Sequence, residues 1–583
     1  MLFRLFFLLL ISSALPAFAQ DVVRRLDARG ACPVEPLDWF SASEEYAWSR
    51  ICAGNTAMMN YATGSDDGKG CDAMDTAATD TWPESRNISA RFLKLIMTRQ
   101  PFVSAPAQSG VWLRCARISD QIRLRNEVIQ PEVWLGNNLI EGGLVLTNAR
   151  ALRDINLDGA RLEGPLQMSG FKTDGDLLMR DGSFRDVRAL GMRVSGNFEI
   201  DGSKFLGSFN GGLMKIEGGF YLKDKTHFGK DGIHLLGARI DGDVNASGSI
   251  FEGPFNADGL TVGSGLYMRG GASFGKQGVD LLGAEIHGVV QFLGSTFDGP
   301  IDLTGAVLHD DLALTHDSQN VTWGAEARLI LRNAHAKALE AHMPNSWRRP
   351  NGPLPVDLQG FTFERLGGLG SGRNADLSQV DHAALIAWIE APDARRDRAA
   401  GKDHHAGYAP QPYAQLASVL NAMGAEAAAR EVNKAKLRHR RVVEHRDFMR
   451  SWEDWRNGPS QSRLTTLATD AVTLGGSLML WALVGHGLEP FRVLYWFFGL
   501  VLIGTILARW SVGDRRHDGL QGRSSWARFW YSMETAVPLI DLSGNHADIR
   551  HGNRFVENWF HFQKIAGFAL STILVGALTI LGT

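Results

Sequence analysis

The chain lacks a dominant charge and has few cysteines, and these two absences exclude whole classes of function. Its 583 residues include 60 Lys and Arg against 63 Asp and Glu, a formal net charge of −3, so there is no overall nucleic-acid-binding signature. Only four cysteines are present, and no two of them have Cys-x-x-Cys spacing, which argues against a thiolate metal site. The sequence also has no nucleotide-binding loop and no haem motif, so it offers no cofactor site.

The cysteines all lie in one N-terminal region, at Cys32, Cys52, Cys71 and Cys115. Upstream, the first 19 residues hold one arginine, an apolar run and small residues at Ala17 and Ala19, as in a secretory signal peptide cleaved after Ala19. An uncleaved membrane anchor is the alternative. An even number of cysteines in an exported region predicts two disulfides, and the pairing stays open. We therefore expect residues 20–135 to form a disulfide-stapled cap in a bacterial periplasm.

The centre of the chain contains an internal repeat. The segments LGMRVSGNF, LGARIDGDV and LGAEIHGVV begin 46 residues apart, at Leu190, Leu236 and Leu282, and a weaker copy lies midway along each step. The resulting units of 22 to 24 residues align one apolar position, at Val194, Ile216, Ile240, Val262, Ile286 and Leu308. A phenylalanine follows each of the first five, at Phe205, Phe228, Phe251, Phe274 and Phe297.

A unit of this length has no helical apolar stripe and alternates short apolar pieces with Gly, Asp and Ser, which is typical of strands and turns. It buries its apolar side only by stacking on copies of itself. We predict a mainly β fold, with a right-handed β-helix solenoid over residues 136–380, roughly nine coils and about 40 Å long. The repeated Val/Ile and Phe should stack inward. The glycine two residues after the apolar position, as at Gly196, Gly218 and Gly242, should adopt the positive φ of a tight turn.

The coils resemble loose pentapeptide repeats, whose unit is Ala-(Asp/Asn)-Leu-x-x. The segments that carry the resemblance are LDGARL (157–162), ADGLTV (257–262), LTGAVL (303–308) and ADLSQ (375–379). Strict five-residue spacing is not kept, and inserts such as FGKDG depart from the square solenoid of that family. The resemblance implies a scaffold or interaction surface and assigns no catalytic residues.

Residues 381–460 are predicted to form a helical hairpin that looks like a single tetratricopeptide-type hairpin. PYAQLASVLNAMG has helical spacing and stops at Gly424, and a long basic helix follows it. Two interpretations of the Lys/Arg stripe on this second helix stay open. It attaches to acidic lipid headgroups, or it is a solvated helix face.

Residues 461–583 are predicted to form a membrane domain with two transmembrane helices. Phe491–Ala508 and Ile565–Leu581 are apolar and near the length that spans a bilayer. The shorter stretch Ala471–Val484 is interpreted as an interfacial helix. If the signal is cleaved, the first span runs inward and the arginine-containing loop 509–558 lies in the cytoplasm, as the positive-inside rule asks. The basic helix at 434–450 argues for the opposite orientation. Three spans would place the loop 509–558 outside the cytoplasm.

Between the two spans, residues 526–542 form a semi-apolar segment with Glu534 and Asp541. The order of a span, a short semi-apolar segment and a second span resembles the layout of two-span ion channels. These two carboxylates are therefore candidates for a membrane gate. No Thr-Val-Gly-Tyr-Gly selectivity sequence is present. An amphipathic helix lying on the membrane is the alternative.

The order of the segments resembles a group of bacterial membrane-associated pentapeptide-repeat-like proteins. The cysteine-containing region, the coils, GFTFERLGGL from Gly360, YAPQPYAQLASVL from Tyr408 and the terminal spans carry this resemblance. It implies an inner-membrane location with the bulk of the chain in the periplasm. Some members of the group carry an oxidoreductase label, which no motif in this sequence supports.

Three functions are compatible with these features. The first, which we favour, is a non-enzymatic, inner-membrane-anchored periplasmic scaffold that binds the bilayer and an envelope protein or a second copy of itself. The second is a two-span channel or transport component with the β-helix as sensor. The third is a carbohydrate-active β-helix enzyme, in which Glu217 and Asp241 would be paired carboxylates on adjacent coils. They belong to a series of equivalent positions, Ser195, Glu217, Asp241, Gly263, His287 and His309. Because the pair lies beside the turn glycine and no aromatic sugar platform accompanies it, we expect no catalytic residue. The absence of cofactor and metal motifs likewise leads us to expect no cofactor or metal.

Overall fold

The computed structural model describes residues 32–106, 110–316, 319–341, 345–367, 381–390, 409–489, 491–512, 520, 522–537, 549 and 551–581. Two compact units divide the chain, Met1–His404 with Ser418–Ala425 and His405–Ala417 with Glu426–Thr583. The expected signal peptide, residues 1–19, lies outside the described residues, so it stays a prediction.

The N-terminal region is a small helical cap. Its α-helices are α1 (Ala42–Cys52), α2 (Thr76–Thr79) and α3 (Ala90–Thr98), and its 3-10 turns are Met59–Tyr61, Glu84–Arg86 and Phe102–Ser104. Helices were expected near residues 39–52 and 89–99, and both are present. Ser41 and Ser89 begin α1 and α3 because their hydroxyls accept hydrogen bonds from the first-turn N–H groups.

The cap covers the first coil of the solenoid. Its short strand Ala57–Met58 pairs in parallel with Leu113 and Arg114. The backbone N–H of Ile88 donates to the carbonyl of Arg117, 3.0 Å away. These bonds satisfy backbone groups that would otherwise form an open sheet edge, which is prone to pair with other chains.

From Gly110 the chain winds into a parallel β-solenoid of about ten turns. Each coil has four short strands, and each strand pairs with its equivalent in the next coil, so four ladders run along the solenoid. Ladder 1 and ladder 2 belong to one 22-stranded sheet. Ladder 1 consists of Val128–Ile129, Arg150–Ala151, Lys172–Thr173, Arg193–Val194, Lys215–Ile216, Arg239–Ile240, Thr261–Val262, Glu285–Ile286, Val307–Leu308, His335–Glu340 and Thr362–Leu366. Ladder 2 consists of Ala57–Met58, Gly110–Arg114, Glu132–Trp134, Ile155–Asn156, Leu177–Leu178, Phe198–Glu199, Phe220–Tyr221, Val244–Asn245, Leu266–Tyr267, Val290–Gln291 and Leu312–Ala313.

The other two ladders complete the four sides. Ladder 3 consists of Arg117–Ile118, Leu139–Ile140, Arg161–Leu162, Ser183–Phe184, Lys204–Phe205, His227–Phe228, Ile250–Phe251, Ser273–Phe274, Thr296–Phe297 and Thr322–Trp323. Ladder 4 consists of Ile122–Arg123, Leu144–Val145, Leu166–Gln167, Val187–Arg188, Phe209–Asn210, Ile233–His234, Phe255–Asn256, Val279–Asp280, Pro300–Asp302, Arg328–Ile330 and Val356–Asp357. Two antiparallel hairpins, Thr315–His316 with Gln319–Asn320 and Arg348–Arg349 with Gly352–Pro353, interrupt the late coils. The predicted β-helix is confirmed, and its right-handed sense stays a prediction.

The solenoid core consists of the stacks that the repeat predicted. All six aligned aliphatic residues from Val194 to Leu308 are buried on ladder 1. On ladder 3, the Phe251 ring lies 5.0 Å from Phe228 and 4.7 Å from Phe274 between centroids, and both pairs are nearly parallel. Strand pairing holds equivalent residues one strand spacing apart, about 4.8 Å, so a repeated aromatic stacks on itself.

The predicted role of the repeat glycines was wrong. Gly196, Gly218, Gly242 and Gly288 do not have positive φ. Each lies at the corner between ladders 1 and 2, where a Cβ would be within 3.0 Å of the preceding coil's atoms. Close approach of two backbones therefore requires glycine there. Positive φ occurs at other corners, such as the one between ladders 4 and 1 at Gly191 and Gly237 and the one between ladders 2 and 3 at Gly202 and Gly248.

The C-terminal part is helical, as expected. Its helices are α4 (His382–Ile389), α5 (Gln411–Ala422), α6 (Glu426–Asn457), α7 (Gln461–Val484), α8 (Arg492–Leu507), α9 (Ser525–Ala536) and α10 (Arg554–Leu581), with 3-10 turns at Asn345–Trp347, Gly485–Gly487 and Ala508–Trp510. Helix α5 ends before Gly424, whose φ is +81°, and α6 is the predicted long basic helix.

Two helices of the described chain, Gln461–Val484 and Arg492–Trp510, are long and apolar enough to cross a membrane. The second matches the predicted span Phe491–Ala508. The first contains the stretch Ala471–Val484, which was expected to be short. It is longer because Ser460 caps a helix that starts among the polar residues before Ala471. The other predicted span, Ile565–Leu581, lies within α10, and its crossing of a membrane stays a prediction.

Candidate functional site

Ladder 1 presents a stripe of basic side chains to solvent. Five consecutive coils place a lysine or arginine at the same register position, at Arg150, Lys172, Arg193, Lys215 and Arg239. All five are exposed. Ion pairs involve the two outer members: Arg150 Nη2 lies 2.9 Å from Asp174 and Arg239 Nε lies 2.9 Å from Asp241. Stacking at about 4.8 Å per coil makes this basic stripe about 19 Å long.

A row of exposed leucines borders the basic stripe at the corner between ladders 4 and 1. Leu190, Leu213, Leu236 and Leu282 are 46%, 67%, 55% and 45% exposed. Single exposed leucines are ordinary, but Leu190, Leu213 and Leu236 lie on three neighbouring coils and form an apolar edge, with Leu213 one residue beyond the register position of the other two. Leu282 lies two coils after Leu236, because Asp258 occupies the corner of the coil between them. We call these four residues the leucine corner.

Leu213 has a backbone conformation that an ordinary leucine avoids. Its φ is +57°, whereas the neighbouring coils have glycines with positive φ at the equivalent position, Gly191 and Gly237. A left-handed conformation costs a residue with a Cβ about 1–2 kcal/mol. The chain therefore keeps an exposed apolar side chain at a position where glycine would be more stable.

The leucine corner was visible in the sequence, but its meaning was missed. Leu190, Leu236 and Leu282 are the first residues of the three strongest repeat copies. Repetition alone does not distinguish an inward from an outward position, because both recur once per coil. The buried Val, Ile and Phe positions already accounted for a core, so these leucines were left without a role.

Next to the leucine corner, ladder 4 carries a carboxyl pair. Asp258 occupies the corner position equivalent to Leu236, and Asp280 is the exposed-side residue of the strand Val279–Asp280 in the next coil. Partial burial, helped by the neighbouring Asp258 carboxylate, raises the pKa of Asp280 to about 7. One proton shared by two close carboxyl groups explains this direction.

At the corner between ladders 1 and 2, three potential metal ligands come together. Glu285, His287 and His309 bring their ligand atoms within 4.8 Å of one another. The sequence analysis placed His287 and His309 at equivalent positions of adjacent coils, and the structure confirms that their rings stack, with centroids 4.6 Å apart. Glu285 was not considered, because it precedes the corner by two residues and only the strand geometry brings it alongside.

The carboxylates that would serve an enzyme, Glu217 and Asp241, lie at equivalent corner positions, since Lys215 pairs in register with Arg239. Both side chains are exposed. Asp241 forms an ion pair with Arg239, at 2.9 Å. This setting is that of a solvated carboxylate whose charge is already balanced, and the function of the pair stays untested.

Both expected disulfides form, and the structure shows which cysteines are paired. Cys32 is bonded to Cys52 and Cys71 to Cys115, with Cα atoms 5.2 Å and 4.9 Å apart. The first fastens the chain before α1 to the end of that helix. The second ties the cap to Cys115, just beyond the first solenoid strand.

Of the two gate candidates, Glu534 lies within the described residues and Asp541 does not. Glu534 belongs to α9, which is capped by Ser524 and packs between α8 and α10 through Ser532 and Ala536. Asp541 lies outside the described residues. Helix α9 exposes Trp526, so this part of the segment is an amphipathic helix, and a gating role stays a prediction.

Helix α6 lies antiparallel along α7. Near one end the Ser451 hydroxyl donates to Asp470. Near the other, the Arg441 guanidinium lies 5.0 Å over the Trp481 ring and 3.0 Å from Nε2 of His486. Beyond them, Lys434 pairs with Glu489 at 2.8 Å. The basic helix therefore follows α7 over nearly its full length.

Helices α7, α8 and α10 enclose an apolar groove of about 750 Å³. Its walls include Met479, Trp496, Leu500 and Trp559. The side chains that line it are aliphatic and aromatic, so the groove offers mainly apolar contact.

Comparison with family models, with curated proteins and with solved structures finds no match for this chain. The fold and its surfaces therefore carry the functional argument. They define the class: a parallel β-solenoid with a disulfide-bonded cap and apolar C-terminal helices.

Proposed function

We propose that this protein is a non-enzymatic interaction protein of the bacterial cell envelope. Its C-terminal helices anchor it in the inner membrane, and the periplasmic solenoid binds a partner protein. The observation that carries the proposal is the surface on which the exposed leucines Leu190, Leu213 and Leu236 lie beside the basic stripe. A charged stripe beside an apolar edge resembles a protein interface more than a pocket for a small ligand.

Charge complementarity indicates an acidic partner. The middle of the stripe, Lys172, Arg193 and Lys215, has exposed cations, and a partner's carboxylates would complement them. Self-association through this face is unfavourable, because a two-fold interface would bring the basic stripe against its own copy. We therefore identify the occupant as a different chain with acidic side chains around an apolar contact for the leucine corner.

The membrane anchor rests on α8 and α10. Helix α8 is apolar and has the length to cross a bilayer. Helix α7 passes the same test, but α6 with Lys434, Arg441 and other charges lies along it, and a helix so charged is not accommodated in hydrocarbon. We place the α6–α7 hairpin at the membrane surface, with the exposed Val472 and Met479 of α7 toward the apolar interior and the basic residues of α6 near anionic headgroups. The channel and enzyme alternatives stay predictions without an observation that favours them.

Site-specific photo-crosslinking in intact cells tests the proposal. A photoreactive residue at Leu236 should yield a discrete crosslinked product with a second protein. The control is Ile250 on ladder 3, which is on the opposite side of the coil and 40% exposed. The double substitution Arg193→Glu with Lys215→Glu should abolish the Leu236 product and leave the level of the protein unchanged.

Two results would count against the proposal. Equal products from Leu236 and Ile250 would mean non-specific contact. A product of twice the chain mass would mean that the partner is a second copy of this chain and not an acidic protein. Leu213→Gly adds a separate readout. It removes the left-handed strain and should raise stability by about 1 kcal/mol, while the crosslink at Leu236 weakens. Alkaline extraction of membranes tests the anchor, which should keep the chain in the pellet.

A further inference from the structure

The cluster of Glu285, His287 and His309 has a geometry that goes beyond an interaction surface. Glu285 points outward from ladder 1, His287 follows it at the corner, and His309 occupies the same corner one coil later. Parallel pairing fixes the two histidines one strand spacing apart, so their rings stack with an interplanar angle of 24°. The backbone of the solenoid thus positions two imidazoles and one carboxylate together.

The distances fit coordination of a single ion. Oε1 of Glu285 lies 3.2 Å from Nε2 of His309 and 3.7 Å from Nε2 of His287. Ligand atoms bound to a tetrahedral zinc at about 2.0–2.1 Å are separated by about 3.3 Å. The ligand atoms of the three side chains all lie within 4.8 Å of one another, and both rings are exposed and able to rotate toward that separation.

The tautomer of His287 is also suited to a metal. Its Nδ1 lies 3.3 Å from the carbonyl oxygen of Val262 in the preceding coil. An Nδ1–H that donates to this carbonyl leaves the lone pair on Nε2, the atom nearest Glu285. Metal-bound histidines commonly have such a backbone partner, which orients the ring and fixes the tautomer.

We propose that Glu285, His287 and His309 form a binding site for a divalent transition-metal ion, with Zn²⁺ as the best match. Two imidazoles and one carboxylate suit zinc, nickel or copper(II), whereas calcium and magnesium prefer oxygen ligands only. The three side chains are 45–51% exposed, so water completes the coordination. An open fourth position of this kind also admits a ligand atom from another molecule.

The charges around the cluster permit a cation. The ammonium group of Lys337, at the equivalent corner position of the coil after His309, pairs with Asp310 at 3.6 Å. The equivalent corner position of the preceding coil is Gly263, which has no side chain to cover the site. Glu285 contributes a negative charge that the metal would balance.

Metal titration of the full-length protein in detergent, purified without a histidine tag and treated with chelator, tests this proposal. Zn²⁺ competition against a chromophoric chelator should show one site that His287→Ala with His309→Ala removes. Glu285→Gln keeps the side-chain size and should weaken binding at least about tenfold. The matched control is His234→Ala. This histidine is on ladder 4 and contacts the Asp231 carbonyl at 3.1 Å, and its loss should leave the affinity unchanged.

Co²⁺ provides a second readout, because a bound four-coordinate ion has an intense visible absorption that free aqueous Co²⁺ lacks. The band should appear at neutral pH, fade on acidification because protons compete with the metal for its ligands, and be absent in the double alanine variant. Equal zinc affinity and an equal cobalt spectrum in wild type and double variant would overturn the proposal. The histidines would then be a stacked pair that hydrogen-bonds Glu285. Far-UV circular dichroism checks that the exposed substitutions leave the solenoid folded.

Discussion

Substitution of two glycines in the same coil should destabilise the solenoid for two different physical reasons. Gly283 has φ +64° and nothing within 4 Å of the position of a Cβ. Gly288 has no positive φ, and its Cβ would be 2.8 Å from the carbonyl carbon of Ser264 and 2.9 Å from its oxygen. Alanine at these positions therefore separates the cost of a left-handed backbone from the cost of crowding between coils.

The magnitudes follow from these geometries. At Gly283, the left-handed conformation of alanine lowers the free energy of unfolding by about 1–2 kcal/mol. The lower entropy of the unfolded chain offsets about 0.4–1 kcal/mol of this loss. The expected net loss is about 1 kcal/mol. At Gly288, the coils must separate by about half an ångström to restore ordinary contact, which also stretches the 2.9 Å hydrogen bond from its N–H to Ser264 O. Overpacking at about 1–3 kcal/mol and a weakened hydrogen bond at about 1 kcal/mol give an expected loss of about 2–4 kcal/mol.

Asparagine distinguishes the two mechanisms further. It tolerates the left-handed region, and this solenoid already uses it there, with φ between +54° and +59° at Asn126, Asn137, Asn148 and Asn333. Gly283→Asn should therefore be nearly neutral, whereas Gly288→Asn should be at least as harmful as Gly288→Ala.

Hydrogen exchange of the full-length protein in detergent, read in peptides that cover residues 279–308, reports the local opening free energy. The reasoning fails if Gly283→Ala costs as much as Gly288→Ala, or if asparagine rescues position 288.

Three further predictions concern the core, the cap and the carboxyl pair. Phe251→Ala should lower the opening free energy of the central coils by about 3–5 kcal/mol, because Phe251 is 1% exposed and stacks on two rings. In the same hydrogen-exchange assay, Leu206→Ala, at a 58% exposed residue, should change it by less than about 0.5 kcal/mol, and equal effects would contradict the stacking account. Replacing Cys71 and Cys115 by alanine should cost the cap about 4 kcal/mol, and replacing Cys32 and Cys52 about 3 kcal/mol, because the sequence separations are 44 and 20 residues. Protease susceptibility of the cap measures which of the two removals destabilises it more. A larger effect of removing Cys32 and Cys52 would contradict the loop-closure account. The pKa of Asp280, raised to about 7, means that the folded state keeps a proton that the unfolded state loses above its ordinary pKa, so stability should fall as the pH rises from about 4 to about 7. Asp280→Asn should flatten that slope in denaturant unfolding, and an unchanged slope would assign it to other groups.

The core was predictable because each coil repeats the same packing problem. Val194, Ile216 and Phe205 recur at fixed spacing, and a period of 22 to 24 residues with local alternation fits a stacked strand unit better than a helix pair. The disulfide-forming cysteines and the long basic helix were predictable for similar reasons, since composition and local spacing carry those signals.

The corners were not predictable in the same way. Gly196 and Gly191 both recur once per coil, and the sequence does not reveal which one sits in a left-handed turn and which one meets the neighbouring backbone. The difference depends on where the strand directions change, which is a property of the stacked coils. The same limit hid the leucine corner, because Leu236 and Ile240 repeat with the same period and differ only in the side they face.

The sequence by itself determined the solenoid, its inward stacks and the apolar C-terminal helices, because these follow from periodicity and from length. The tertiary structure decided what lies side by side across coils. It paired Cys32 with Cys52, aligned the basic stripe, joined Asp258 to Asp280, and brought Glu285 to His287 and His309. The physical reason is the parallel register: residues 21 to 28 positions apart become neighbours at one strand spacing, and only the path of each corner decides which side chains share a face.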